Sequence, residues 1–314
     1  PSPDIMNKLA RSVLALYSYD ENPDDTSLEN VLRQCISIIA QIPVIMVYAY
    51  QVKRRHYYKK SMYIHPIKPE HTTAQAVLGS IRADKTFTDE EARLLDTCLM
   101  VHAEHGGGNN STFATRVLTS SGTDTYSAIA AGIGALKGPK HGGANIKVAQ
   151  MVDFIRNDVA DINDEGQVAD YLRKIIQKEG GDRSGLIYGM GHAVYTLSDP
   201  RAKILREQAG KFAAGTEFEE EFHLLNSIEK LTPAIFAEFK GERKNICANV
   251  DLYSGLVYKM LRIPPDLFTP IFTVARVAGW SAHRIEELLT GGRIIRPAYK
   301  NINTAGLYVP ITER

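Results

Sequence analysis

Two histidines three residues apart, His102 and His105, end an apolar-periodic segment and run into Gly106-Gly107-Gly108-Asn109. Imidazoles at i and i+3 of a helix face the same way, and glycines beside them let a ligand or a second backbone come close. A lone pair of this kind is more often a capped helix end or a partly buried core pair. Here the pattern recurs. His141 lies in Gly138-Pro139-Lys140-His141-Gly142-Gly143, His192 follows Gly189-Met190-Gly191, and Asp251 follows a polar turn. Arg201, Arg276 and Arg296 are dispersed along the same half of the chain. Guanidinium groups bind carboxylates bidentately, and histidines with one aspartate can exchange protons near neutral pH. Together these residues suggest a site for a multiply charged carboxylate.

Three other chemistries do not fit. His105-Gly106-Gly107-Gly108 looks like the oxyanion loop of some serine hydrolases, but no Gly-x-Ser-x-Gly turn accompanies it. A zinc site would want His-Glu-x-x-His or paired cysteines, and here the glutamate stands between the histidines. A phosphate cradle would want Gly-Lys-Ser/Thr, which is absent.

The elements that must position these residues read almost entirely as helices. Ser2-Pro3-Asp4 opens one with Ile5, Leu9, Val13 and Leu16 on a face, and Ser27 opens a second carrying Leu28, Val31, Ile36 and Ile39. Pro43 is expected to open a third helix or kink the second. Lys53-Arg54-Arg55 reads as a solvated face, and residues 57–71 as irregular. After a helix from Thr73 to Ile81, Thr88-Asp89-Glu90-Glu91 forms a capping box for the histidine helix, with Ala92, Leu95, Cys98, Leu99 and His102 in period and Gly106 as its stop. Residues 113–136 form a helix or helix pair with small side chains that permit close packing. Further helices are expected at about 144–156, 165–179, 200–214, 217–240 and 254–261, then 266–278 and 281–290 after Pro264-Pro265. Strand signals are few, and there is no internal repeat.

With 314 residues and 44% hydrophobic content the chain can bury a large core and form more than one domain. The balance of 37 basic against 36 acidic residues gives no reason to expect nucleic acid or a membrane as the main partner. No apolar run approaches the roughly 20 residues of a membrane span, and Pro1 onward does not resemble a signal peptide. Cys35, Cys98 and Cys247 are few, odd in number and far apart, as in a reducing, cytoplasmic compartment.

At this point a family resemblance is carried by four motifs in order. Gly189-Met190-Gly191-His192-Ala193-Val194 with Asp199-Pro200-Arg201 resembles the citrate synthase signature, and Gly138 to Asn145 resembles that family's other histidine loop. His102-Ala103-Glu104-His105-Gly106-Gly107-Gly108-Asn109 and Asn249-Val250-Asp251-Leu252-Tyr253-Ser254-Gly255 match as well. The resemblance covers nearly the whole chain. Because the family's fold begins further upstream, it also implies a chain that lacks the N-terminal segment.

The resemblance implies an all-α, two-domain, homodimeric protein, with a large domain from 1–142 and 263–314 and a smaller helical domain inserted at 143–262. The implied reaction joins acetyl-CoA to oxaloacetate and hydrolyses citryl-CoA to citrate and CoA. Asp251 would be the base that takes a methyl proton, His141 would stabilise the enol or enolate, and His192 would polarise and protonate the ketone. A thioester α-proton is weakly acidic, so a carboxylate base needs such help at the developing oxyanion. Oxaloacetate would be held by His105, His192, Arg201, Phe272 and Arg276, with Arg296 from the partner subunit completing a shared site; His102 would be supportive. Coenzyme A would contact Leu186, Gly189, Met190 and Gly191, with Lys244 and Asn249 as further contacts. Thr196 stands where animal-type members have an arginine for CoA phosphates. No metal and no permanently bound cofactor is implied; acetyl-CoA is a co-substrate.

Two alternatives stay open on sequence alone. A 2-methylcitrate synthase would use propionyl-CoA with the same residues, since one methylene of pocket space is worth roughly 1–3 kcal/mol. A fragment that only dimerises or binds ligand is the other.

Overall fold

The structure is a computed structural model of the chain. It describes all residues except 193, 196, 241–245, 299, 301, 303–305, 307 and 314. Among the described residues there are twelve α-helices and no β-strand, as the apolar periods lead one to expect. They are α1 (Ile5–Leu16), α2 (Leu28–His56), α3 (Thr73–Ile81), α4 (Asp89–Ala103), α5 (Asn110–Ser120) and α6 (Thr125–Leu136). Then follow α7 (Ala144–Asp158), α8 (Glu165–Ile176), α9 (Pro200–Ala213), α10 (Glu219–Lys240), α11 (Asp251–Met260) and α12 (Phe268–Leu289).

The start signals act as written. Asp4 caps α1 through Asn7, and α4 opens on a complete capping box in which Thr88 and Glu91 bond each other's backbone N–H. The stops and breaks differ in three places. α4 ends at Ala103, before Gly106, so His102 and His105 do not share a helical face. α2 runs unbroken through Pro43, and α12 is one helix where two were expected, over 266–278 and 281–290. A proline or glycine inside a helix costs about 1–3 kcal/mol, less than burying the apolar faces on both sides of it returns.

Two packing groups are visible. α7 to α11 pack among themselves, while α12 lies against α1, α2, α4, α5 and α6 and buries Phe272, Arg276, Trp280 and Arg284. The groups meet where α4 touches α9 and α11, and where α7 touches α12.

One expectation needs correction. α2 contains an 18-residue window of mean hydropathy 1.7, long and apolar enough by composition to cross a membrane. Its contacts with α1, α3 and α12, and its buried Val31, Cys35, Ile38, Ile42 and Met46, are those of a core helix. The opposite face is bare: Leu28, Leu32, Ile36 and Ile39 form an exposed stripe at helical spacing, Ile36 being 58% exposed.

Candidate active site

Each candidate side chain is delivered by a turn that the sequence constrains. His141 sits in the turn after α6, where His141 N bonds Gly138 O at 2.9 Å and Gly142 N bonds Leu136 O at 3.0 Å. A Cβ at Gly142 would collide with the Leu136 carbonyl, so only glycine closes this turn. Its own carbonyl accepts from Thr269 Oγ1 at 2.9 Å, which ties the loop to α12.

His192 and Asp251 come from two segments that run alongside each other. Gly191 N bonds Cys247 O at 2.8 Å and Asn249 N bonds Gly189 O at 2.9 Å. Asn249 fastens the arrangement: its Nδ2 donates to Gly191 O at 3.0 Å and its Oδ1 accepts from Asp251 N at 3.0 Å, at the start of α11. Gly189, at φ +81°, packs so closely on α11 that a Cβ would stand 2.9 Å from Leu252 Cα. Met190 pairs with Ala248 in an isolated antiparallel bridge, and Leu186 is exposed at the loop's edge.

His105 and His192 meet directly, Nε2 to Nε2 at 2.9 Å with ring planes at 78°. His192 Nδ1 accepts from Val194 N at 2.9 Å and Tyr195 N at 3.0 Å. In a neutral His192 ring the proton is therefore on Nε2, the nitrogen that faces into the cleft. Arg201 Nη2 stands 3.4 Å from the same nitrogen and forks onto the buried Asp199, at 2.8 Å and 3.1 Å.

On the other side, His141 Nε2 lies 2.9 Å from Ser111 Oγ. Ser111 is fully buried, accepts from Trp280 Nε1 at 3.1 Å and lies 3.0 Å from Asn109 Oδ1. Asn109 Oδ1 accepts from both Ser111 Oγ and Arg276 Nη1, the latter at 3.1 Å, which ties His141 through Ser111 to Arg276. The Phe272 ring stands edge-on to both His102 and His141, at 4.8 Å and 6.3 Å, and the Arg276 guanidinium covers it at 4.7 Å.

Arg276 is fully buried, with Nε donating to His102 O at 2.6 Å, while its Nη2 has no partner within the protein. A buried guanidinium N–H without a partner is costly, and a ligand carboxylate would satisfy it. Burial, reinforced by the charge of Arg201, brings Arg276 down to about 10, so it remains charged at neutral pH. His102 is an internal group: Nδ1 donates to Cys98 O at 2.7 Å, and burial holds the ring at about 3.

The carboxyl of Asp251 titrates above the imidazoles of His105 and His141, the reverse of the ordinary order. Burial lowers His105 to about 4, with Arg201 next in effect, and lowers His141 to about 4. Burial also lowers His192, Asp199 opposing and Arg201 adding to it. Burial raises Asp251 to about 6, and the charges of Arg201, Asp199 and Arg276 are close enough to act on it. Its place at a helix N-terminus favours the carboxylate by only about 0.3–1 kcal/mol, less than the desolvation effect. Burial thus keeps the three imidazoles neutral at pH 7 and leaves one carboxyl group poised near neutrality, a set suited to proton abstraction beside a carbonyl.

Arg296 was expected to serve the partner's cleft rather than this chain's own. Arg296 is exposed on the C-terminal segment, and its neighbour Ile295 bonds Ser120, nine residues along α5 from Ser111 and hence ~13 Å further from the cleft. Lys244 and Thr196 fall outside the described residues. Ser111 and Trp280 escaped sequence reasoning because nothing local distinguishes a hydroxyl or an indole that touches a distant histidine. Asp199 was visible within its motif, but its role as the partner of Arg201 was not.

The family model described as citrate synthase, C-terminal domain, matches residues 1–298. A citrate synthase from Synechocystis sp. is 42% identical over 224 residues, which are 71% of this chain and 52% of that protein. The chain thus spans about half the length of that relative. A 2-methylcitrate synthase 1 from Corynebacterium glutamicum is 32% identical over 317 residues, covering 98% of this chain and 75% of that protein. Among solved structures, citrate synthase from the thermophilic archaeon Thermoplasma acidophilum, in ternary complex with carboxymethyl coenzyme A and oxaloacetate, superposes with a TM-score of 0.79. It is 29% identical, with 99% of this chain and 76% of that one covered.

Proposed function

Because the chain belongs to the citrate synthase family, acyltransferases that condense acetyl-CoA with oxaloacetate, we propose that its cleft makes citrate from these two substrates. The observation that carries this reading is the buried Arg276, whose Nη2 lacks a partner, together with Arg201 at His192 and a carboxyl raised to about 6 at Asp251 within reach of both arginines' charges.

Asp251 takes a proton from the acetyl methyl group, and the electron pair moves to the thioester oxygen. His141 meets the charge that develops there. The resulting carbon nucleophile attacks the ketone carbon of oxaloacetate, forming the new C–C bond. The ketone oxygen takes the Nε2 proton of His192. Water then cleaves the thioester of citryl-CoA, releasing citrate and CoA. The chemistry needs no resident metal or redox group.

Oxaloacetate is a dianion, and Arg276 and Arg201 supply cationic N–H groups for it, with His105 as a further donor and Phe272 as an apolar floor. Asp199 now holds the Arg201 fork, so a carboxylate would share or displace that partner. Coenzyme A would lie along Leu186, Gly189, Met190 and Gly191. Lys244 and Asn249 are weaker assignments for it, since the Asn249 amide already makes two bonds.

We read the active unit as a homodimer in which Arg296 reaches the partner's cleft, with the large domain from 1–142 and 263–314 and the small one from 143–262. The exposed apolar stripe on α2 and the exposure of Arg296 support a partner. A cytoplasmic location agrees with three free, buried cysteines. Propionyl-CoA is the second reading, because the relatives include both a citrate synthase and a 2-methylcitrate synthase. Release of CoA from acetyl-CoA plus oxaloacetate tests the first reading. A larger kcat/KM for propionyl-CoA replaces it with the second, and no release with either acyl donor overturns both.

A further inference from the structure

Phe272, Arg276, Gly279 and His283 follow one another along α12 at intervals of four, three and four residues, which puts them on one helical face. The first two belong to the cleft. The other two touch the loop that carries His105. Gly279 packs against the Ala103 carbonyl with no room for a Cβ, and such a Cβ would also stand 2.6 Å from Glu104 Oε2. His283 Nε2 lies 3.0 Å from Glu104 Oε1, and its Nδ1 lies 2.8 Å from Glu286 Oε2. Glu104 Oε1 also accepts from Gly106 N, bridging over His105 from both sides in the sequence.

We propose that His283 and Glu104 are positioning residues: together they clamp the 104–109 loop onto α12 and so fix the direction of His105 toward the substrate. The inference rests on the assignment of His105 to oxaloacetate above. Physically, the loop contains three consecutive glycines and no helical bonds of its own, so its backbone entropy is high unless anchored. Its far end is held by Asn109, through Arg276. Its near end follows the end of α4, where Arg276 holds His102 O, and within the loop Glu104 is the side chain that reaches α12, through His283. A neutral His283 could donate to one of its two carboxylates; the imidazolium donates to both. The other charges near the clamp are Arg116 and Glu287, which pair with each other at 2.9 Å. Nothing among the sequence motifs marks His283, which lies 179 residues from Glu104.

The test compares His283→Leu, His283→Arg and Glu104→Gln with the wild-type chain. Outer-shell partners of a functional histidine change its performance about 10-fold or more when removed. We therefore expect His283→Leu to raise the KM for oxaloacetate about 10-fold while the KM for acetyl-CoA and the melting temperature stay close to wild type. His283→Arg, which restores two charged donors, should recover most of the loss, and Glu104→Gln, which keeps an acceptor, should lose less than His283→Leu. Amide hydrogen exchange over residues 103–109 should quicken in His283→Leu. An unchanged oxaloacetate KM, equal loss toward both substrates together with a fall in melting temperature, or failure of arginine to rescue overturns the proposal. Hydrogen exchange separates the two levels of the argument. A wild type that does not turn over oxaloacetate defeats the reading of the site, whereas unchanged exchange in His283→Leu defeats the clamp itself.

Discussion

His105 Nε2 and His192 Nε2 are in hydrogen-bond contact at 2.9 Å, although 87 residues separate them in the chain. Two backbone N–H groups occupy His192 Nδ1, so His192 is the donor of this pair and His105 the acceptor, with its own proton on Nδ1. The His192 proton that would go to a substrate ketone is therefore held by His105, and a bound ketone oxygen must take the place of the His105 nitrogen. His192→Ala should accordingly lower kcat by ~10²–10³-fold, the usual loss for one donor to a developing oxyanion, with the KM for acetyl-CoA little changed. Steady-state kinetics with each substrate varied in turn check this, and a variant that loses acetyl-CoA affinity instead would place the ring at the other reactant.

Asp251→Asn should abolish turnover while leaving oxaloacetate binding nearly intact, because the base does not hold the dianion. Calorimetry showing equal loss of binding and activity would contradict that. In the wild type, activity should rise with pH through about 6 as Asp251 ionises. The same substitution has a stability consequence of definite sign. Burial raises the folded-state value to about 6 from the ordinary carboxyl value of 3.8, so between these values the native state binds the extra proton and stability falls as pH rises. Asparagine carries no such loss, so the melting temperature of Asp251→Asn should exceed wild type by more at about pH 8 than at about pH 5.

Arg276→Leu should weaken oxaloacetate binding by about 2–5 kcal/mol, the cost of leaving a partner carboxylate buried and unpaired. It should also loosen the end of the 104–109 loop, since Arg276 donates to His102 O and Asn109 Oδ1. Arg276→Lys, which keeps the charge without the fork, should fall between the two. An unchanged dissociation constant would remove Arg276 from the substrate site.

Mixing Asp251→Asn subunits with Arg296→Ala subunits should restore part of the activity lost in each, because a hybrid dimer holds one site with both residues intact. The readout is CoA release from verified hybrids. No rescue, or a fully active monomer, would assign Arg296 no part in catalysis. Scattering with and without oxaloacetate should show a dimer that becomes more compact, as arginines from both packing groups close on one ligand.

Much of this protein could be read from short-range pattern, because short-range physics sets it. Apolar residues at helical spacing fix where helices run, and Thr88 with Glu91 fixes where α4 begins, since both ends of that capping box lie within one turn. The glycine turns around His141 and His192 are equally local: Gly142 and Gly189 are required by contacts that leave no room for a Cβ. Those turns, with the segments at 102–109 and 249–255, also carried the family resemblance, and with it the proposed roles of His141, His192, Arg201 and Asp251.

Tertiary structure alone decided the rest. Pro43 read as a helix start or a kink, and 266–278 and 281–290 as separate helices, but both regions are continuous, because packing on both sides outweighs a local penalty of a few kcal/mol. His102 and His105 read as one face but separate, the first buried in α4 and the second turned to His192, because α4 ends at Ala103. The contact of His141 with Ser111, the raised Asp251 carboxyl and the contact between His283 and Glu104 depend on burial and on partners far away in the chain. The spacing of residues along one sequence specifies which groups are present and which way each turn runs. The environment that sets their charge and direction exists only once the helices that carry them have packed.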